Sequence, residues 1–226
     1  EERSYEAMGA VFPWLQERRR WLLGSEPLRD VAVLWDSATI NGPNNEYFPN
    51  KDIRKERAAI YEGVSRMFRD HGRHFTACGG QRLLQLLPQL RLLVMPEPSG
   101  ISDELAAAIA DWTQAGGKVL FSCPINEPMP AKLFDVAGVT VEGTSTLDYH
   151  YYDIGRYDTM RTPILHLKTD PGCRTLVGTG EAMPVGVSEG HFGHGMAPVV
   201  GPGDWPWAVA REHGRGMVYC IAAPVF

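Results

Sequence analysis

A chain of 226 residues is long enough for one large domain or a domain with an appendage, and its apolar fraction of 44% argues for a packed core and against disorder. Lys and Arg total 22 against 27 for Asp and Glu, and the resulting net charge of −5 gives no support to a nucleic-acid or anionic-membrane partner. No apolar run approaches the roughly 20 residues that a membrane-spanning helix needs.

In chain order, Arg3 to Leu23 predicts a helix, with Tyr5, Met8, Phe12, Leu15 and Leu22 as its apolar contacts and Arg18-Arg19-Arg20 toward solvent. Pro13 inside that pattern predicts a kink or a break into two shorter helices. Gly24-Ser25-Glu26-Pro27 ends the helix, which divides the chain into a linker helix over 1–27 and an α/β domain over 28–226. The chain opens on Glu1 rather than Met, so the expectation is a processed protein or a part of a longer one.

Val31 to Trp35 reads as the first core strand, ending at Asp36-Ser37. The Asn-, Pro- and Gly-rich stretch from Ala38 to Asn50, with Tyr47 and Phe48 near its end, has the length of a functional loop. Ile53, Ile60, Tyr61, Val64, Met67 and Phe68 then give a second helix an apolar stripe. His74 to Ala77 is a short strand and Gln81 to Leu87 a brief helix.

Leu90 to Cys123 organises the rest. Leu90 to Met95 is an apolar run of strand length, stopped by Pro96-Glu97-Pro98. Ser102 is a good N-cap, followed by Asp103 and Glu104 where a helix N-terminus attracts negative charge. Leu105, Ile109 and Trp112 share one helix face, Gly116-Gly117 stops the helix, and Lys118 to Phe121 is the next strand. Two buried strands joined by one helix form a βαβ unit of a parallel sheet. Strand–helix alternation from Val31 to Phe121 predicts a doubly wound, flavodoxin-like three-layer sandwich with a mostly parallel central sheet.

Beyond Cys123 the character changes to β-rich additions. A short helix over Ala131–Ala137 precedes strand-like segments at Val139–Val141, Thr162–Leu167, Cys173–Val177 and Met183–Val187. The glycine-rich stretch Gly190–Gly203 separates these from an apolar segment, Trp205–Ala210, and a last strand, Gly216–Ala222, apolar enough to be central.

The strand ending Val33-Leu34-Trp35, the Ser102-Asp103-Glu104 helix start, the Ala115-Gly116-Gly117 stop and the closing Gly214, Gly216, Val218 and Tyr219 together resemble a known family. It is the class I glutamine-amidotransferase-like domain of glycoside hydrolases, in the version closest to the β-galactosidase trimerisation domain of family-42-type enzymes. The resemblance covers Asp30 to Phe226. It implies a non-catalytic accessory and oligomerisation domain of a glycoside hydrolase, with an upstream catalytic domain and further copies, in a trimer, as partners. The leading helix corresponds to the segment joining the catalytic barrel to this domain. No cofactor is expected.

Cys123 falls where true class I amidotransferases carry a nucleophile on a strained turn. Here Phe121 and Ile125 are bulky where an elbow needs small residues, and residue 124 is Pro, which lacks the N–H that would hold the oxyanion. The family's His-x-Glu pair is also absent, since Glu212-His213 runs in the wrong order. Cys123 is therefore a degenerate elbow position, and the enzymatic alternative is a divergent amidotransferase-like hydrolase that uses it. Cys78, Cys123, Cys173 and Cys220 are spaced far apart, which excludes zinc and dithiol motifs and leaves isolated buried thiols of a cytoplasmic protein.

Another alternative is a sugar- or small-ligand-binding module at the strand carboxyl ends, with Asp36, Ser37 and Glu97 as binding residues. A glycosidase-like pair of Asp36 and Glu97 would need about 5–10 Å between carboxyl groups; the plainer reading is a capped strand end and an exposed loop acid. His191-Phe192-Gly193-His194 has metal-like spacing, but Gly190, Gly193 and Gly195 suit a loop better than a ligand platform. Tyr149, Tyr151, Tyr152, Trp205 and Trp207 cluster Tyr and Trp as subunit interfaces, sugar platforms and ordinary cores all do. Tyr47, Phe48, Tyr151, Tyr152, Trp205 and Trp207 are the interface candidates.

Overall fold

Alternation within the strands sets the layering. In β1 (Val31–Leu34), Ala32 and Leu34 point to one side of the sheet and Val33 to the other. The same holds for β3 (Leu92–Met95), where Leu93 and Met95 join the larger core and Val94 the smaller one. The computed structural model describes residues 2–26, 28–35, 51–125, 128–145, 150–182 and 198–225, with backbone alone at 2–5, 7–8 and 51–58.

The smaller core is made by α2 (Lys51–Asp70), whose Tyr61, Val64 and Phe68 pack on Val33 and Val94. The opposite face carries α3 (Gly80–Leu86), α4 (Asp103–Gln114) and α5 (Ala131–Ala137), which bury Leu83, Leu86, Leu105, Ile109, Leu133 and Val136 against the sheet. Helix, sheet and helices make the three layers that the apolar runs predict. In α4, the Ser102 hydroxyl accepts from the Leu105 N–H at 3.2 Å, and Asp103 and Glu104 fill the first turn. Gly116, at φ 125°, then turns the chain toward β4 (Lys118–Ser122).

A nine-stranded sheet runs through the molecule in the order β2-β1-β3-β4-β11-β10-β9-β6-β7. Here β2 is Thr76–Cys78, β6 His150–Asp153, β7 Tyr157–Met160, β9 Cys173–Ala182, β10 Val199–His213 and β11 Gly216–Ile221. β2, β1, β3, β4 and β11 are parallel, in the flavodoxin-like order, and β10, β9, β6 and β7 continue antiparallel. β5 (Val139–Thr144) and β8 (Leu165–Thr169) form a separate antiparallel pair that packs Val139, Leu165 and Leu167 onto the main core. β11 is as central as its apolar sequence predicts, with β4 on one side and β10 on the other. Gly216 has to be glycine, because a Cβ there would strike the carbonyl oxygens of Thr113 and Gly117.

Four expectations need correcting. α1 (Glu2–Leu22) runs through Pro13 as one helix rather than two. β6 and β7 occupy a stretch in which the sequence shows no strand, and β8 begins at Leu165 rather than Thr162. Val199–Gly203, read as part of a glycine-rich divider, belongs to β10. The thiols are not all isolated, since Cys123 Sγ and Cys220 Sγ lie 3.6 Å apart on neighbouring strands. The strand expected at Met183–Val187 lies outside the described residues, as do Asp36, Ser37, Tyr47, Phe48, Tyr149, His191 and His194.

Along α1, Phe12 is 64% exposed and Trp21 70%, and Val11, Trp14, Leu22 and Leu23 are exposed as well. Arg18 lies over the Trp14 ring at 4.2 Å and Arg20 over Trp21 at 5.0 Å, so two of the three arginines cover aromatic faces. Among the described residues no helix is long and apolar enough to cross a membrane.

Candidate functional site

Open α/β sheets place ligands at the carboxyl ends of their parallel strands, and here, among the described residues, the ends of β4 and β11 are closed by the chain itself. Cys123 is 0% exposed, its N–H donates to the Ile221 carbonyl at 2.8 Å, and its sulfur rests on that of Cys220. The contact with Cys123, and then burial, holds the Cys220 thiol well above its ordinary pKa, so that thiol stays protonated at neutral pH. Phe121, also 0% exposed, fills the space before the thiol, and Pro124 follows it. An elbow nucleophile needs an exposed sulfur and a free N–H beside it. This position has neither.

Glu97 is the other feature of this edge. It is the non-glycine residue with a left-handed backbone among the described residues, at φ 47°. Its N–H donates to the Ser122 hydroxyl at 3.1 Å, and the Ser99 N–H donates to its carbonyl at 2.6 Å. The turn after β3 is thus tied to the end of β4, and a left-handed backbone there costs about 1–3 kcal/mol that the surrounding contacts offset. Trp35, at the end of β1, stacks on Tyr61 with ring centres 4.3 Å apart. A hollow of 670 Å³ in the parallel half opens at the opposite, amino ends, among Asp30, Arg91, Trp112 and Lys118. That edge is the one which open α/β sheets leave without ligands.

The aromatic candidates are drawn into the antiparallel half. Tyr151 is buried, at 8% exposure. Tyr152 stacks on Trp207 at 4.9 Å and Trp205 on His166 at 4.7 Å, the latter pair coplanar to within 2°. Trp205 belongs to a bulge. Pro202 pairs with Gly180 and Pro206 with Gly178, so Gly203, Asp204 and Trp205 stand opposite Thr179 alone. Both shoulders are prolines, which have no N–H to give the ladder. The Thr179 hydroxyl donates to the Trp205 carbonyl at 2.6 Å, and Gly203 must lack a side chain, since a Cβ there would lie 2.5 Å from that hydroxyl.

This bulge opens a cavity of 340 Å³ lined by Ser145, His150, Ile164, His166, Thr179, Glu181, Asp204 and Trp205 among others. His150, Ile164 and Thr179 are buried, whereas Glu181 and Asp204 are exposed at its rim. Of these residues the sequence reading names Trp205 alone. The signal available was the Pro202-Gly-Asp-Trp-Pro206 run inside an otherwise strand-like segment. Among the described residues no group of three or more His, Cys, Asp or Glu side chains is arranged to hold a metal ion.

No family model matches the sequence, and no curated protein matches it significantly. Solved structures do match the fold. A β-galactosidase from Rahnella sp. R3 superposes with a TM-score of 0.64 at 16% identity, over 98% of this chain and 32% of that one. The chain shares its fold with one part of larger glycosidases. A family-42 β-galactosidase from G. stearothermophilus gives a TM-score of 0.60 at 17% identity, over 89% of this chain and 28% of that one. An α-L-fucosidase, isoenzyme 2 from Paenibacillus thiaminolyticus, gives 0.62 at 18% identity, over 99% and 33%. The chain therefore spans a minor part of each of these enzymes while nearly all of it is accounted for.

Proposed function

We propose that this chain is a non-catalytic accessory and oligomerisation domain of a glycoside hydrolase, resembling the β-galactosidase trimerisation domain. What carries the reading is the sealed thiol: the position where a related fold would hold its nucleophile is 0% exposed, packed on Cys220 and followed by Pro124. The match to less than half of each larger glycosidase supports the same reading. So does α1, whose exposed Phe12, Trp14, Trp21 and Leu22 form the kind of apolar surface that a partner covers. In this reading 1–27 is the connection to a catalytic domain, and 28–226 is the domain that assembles with its copies. Tyr152, Trp205 and Trp207, partly exposed, remain candidate contacts in that assembly.

The test is an assay of the chain for glutaminase and glycosidase turnover, combined with its mass in solution by light scattering. The expected result is no turnover, with an assembly that Tyr152→Glu together with Trp207→Glu disperses. Glutamine hydrolysis that Cys123→Ala abolishes would sink the reading in favour of the divergent hydrolase.

A further inference from the structure

The cavity beside the β10 bulge lies among the appended strands, where β10 runs on past Ile221, and is not explained by the sealed thiols. The geometry points to a saccharide-binding pocket, sized for one pyranose ring, formed by His150, His166, Thr179, Glu181, Asp204 and Trp205. It stands whether or not the chain is an accessory domain, because it rests on the lining of this cavity and not on Cys123 or α1.

The size is suited to a small occupant. Ligand pockets span about 300–1,000 Å³, and 340 Å³ is at the lower end. The lining then decides the chemistry. Glu181 and Asp204 at the rim exclude an anion by repulsion. A cation would use those acceptors but leave the imidazoles and the Ser145 hydroxyl, all capable of donating, without a role. Each hydroxyl of a sugar both donates and accepts, so a neutral polyol can engage carboxylates, imidazoles and hydroxyls together. Carboxylates are strong acceptors for such hydroxyls, giving short charge-assisted hydrogen bonds. The apolar side of a pyranose also finds its complement, in the buried Ile164 and in the stacked Trp205 and His166 rings among the lining.

The pocket is also pre-organised. Thr179 is fixed by its bond to the Trp205 carbonyl, and Trp205 is fixed in turn against His166. Gly203 permits that approach, and the prolines on either side restrain the bulge. A preformed site loses less conformational freedom on binding. Bulges that re-aim side chains are found next to functional sites for this reason.

Calorimetric titration of the chain with methyl β-galactopyranoside, methyl α-fucopyranoside and methyl β-glucopyranoside tests the assignment. Saturable binding of at least one is expected. Glu181→Gln combined with Asp204→Asn, both at the exposed rim, should weaken it by about tenfold or more, while Glu97→Gln at the strand ends leaves it unchanged. If the double variant does not fold, the ring-proton signals of His166 in the unmodified chain read the same site, and they should shift as sugar is added. Four results would overturn the proposal: no binding of any of the three sugars, full affinity in the rim variant, loss of affinity in Glu97→Gln, or His166 signals that stay fixed during a titration that saturates. Binding of tetramethylammonium or zinc in place of the sugars would also overturn it.

Discussion

The parallel and antiparallel halves of the sheet treat their polar groups in opposite ways. Where β3, β4 and β11 end, the chain buries two thiols against each other, ties Glu97 to Ser122 and leaves the nucleophile position inaccessible. Where β9 and β10 pair, a bulge departs from the ladder and gathers imidazoles, carboxylates and an indole around an open cavity. Among the described residues, the ends of β4 and β11 serve as scaffold, and the appended strands gather the titratable side chains. Fold alone would have directed attention to β4 and β11 rather than to the appended strand β10, which runs on beyond the end of β11 at Ile221.

The contrast can be broken most directly through stability. Phe121→Ala, in the sealed parallel half, should cost about 3–5 kcal/mol, read from the midpoint of chemical denaturation. Glu181→Gln at the cavity rim should stay within about 0.5 kcal/mol of the unmodified chain. Comparable losses at both positions would mean that the rim is structural and the contrast false. A smaller effect is expected where the parallel half begins its best-defined helix: Ser102→Ala removes the acceptor of the Leu105 N–H and should cost about 1 kcal/mol. An unchanged midpoint there would show that α4 is held by its buried face alone.

The smallest effect concerns pH at the junction of the halves. His213, at the end of β10, has its pKa lowered by burial first and then by Arg211 and Lys132, against an opposing pull from Asp111. The folded state therefore prefers the neutral ring, so the contribution to stability is present above the unfolded value of about 6.5 and is lost as pH falls through the lower folded one. Because the side chain is largely solvated, the loss is slight. Between about pH 8 and pH 5, denaturation midpoints should fall a little further for the unmodified chain than for His213→Gln. Equal falls would show that the ring has no part in it.

The parallel half was legible because each element carries its own signal. Apolar runs of strand length stop at Pro96 or Gly116-Gly117, and Ser102 announces α4. β6 and β7 were not, because His150-Tyr151-Tyr152-Asp153 and Tyr157-Asp158-Thr159-Met160 lie toward the sheet margin and carry polar residues that break alternation. β10 was read short because glycine and proline mark a loop in a sequence, and only pairing with β9 shows that a bulge accommodates them. The degenerate state of Cys123 could be argued from Phe121 and Pro124, whereas its neighbour Cys220 is 97 residues away in sequence and invisible to any local pattern. The cavity was hidden for the same reason, since His150, His166, Glu181 and Asp204 come from four different strands.

The placement of β11 also governs how the chain can be made. It is the final strand in sequence, yet it is the one that joins β4 to β10. During synthesis β1 to β10 emerge while that slot stands empty, so the growing chain has two unpaired edges, at β4 and at β10, until Gly216–Ile221 leaves the ribosome. Such edges are templates for pairing with other chains. Folding of the two halves into one sheet is thus a long-range event that waits for β11, and the chain's exposure to misassembly is set by how soon Gly216–Ile221 follows β10.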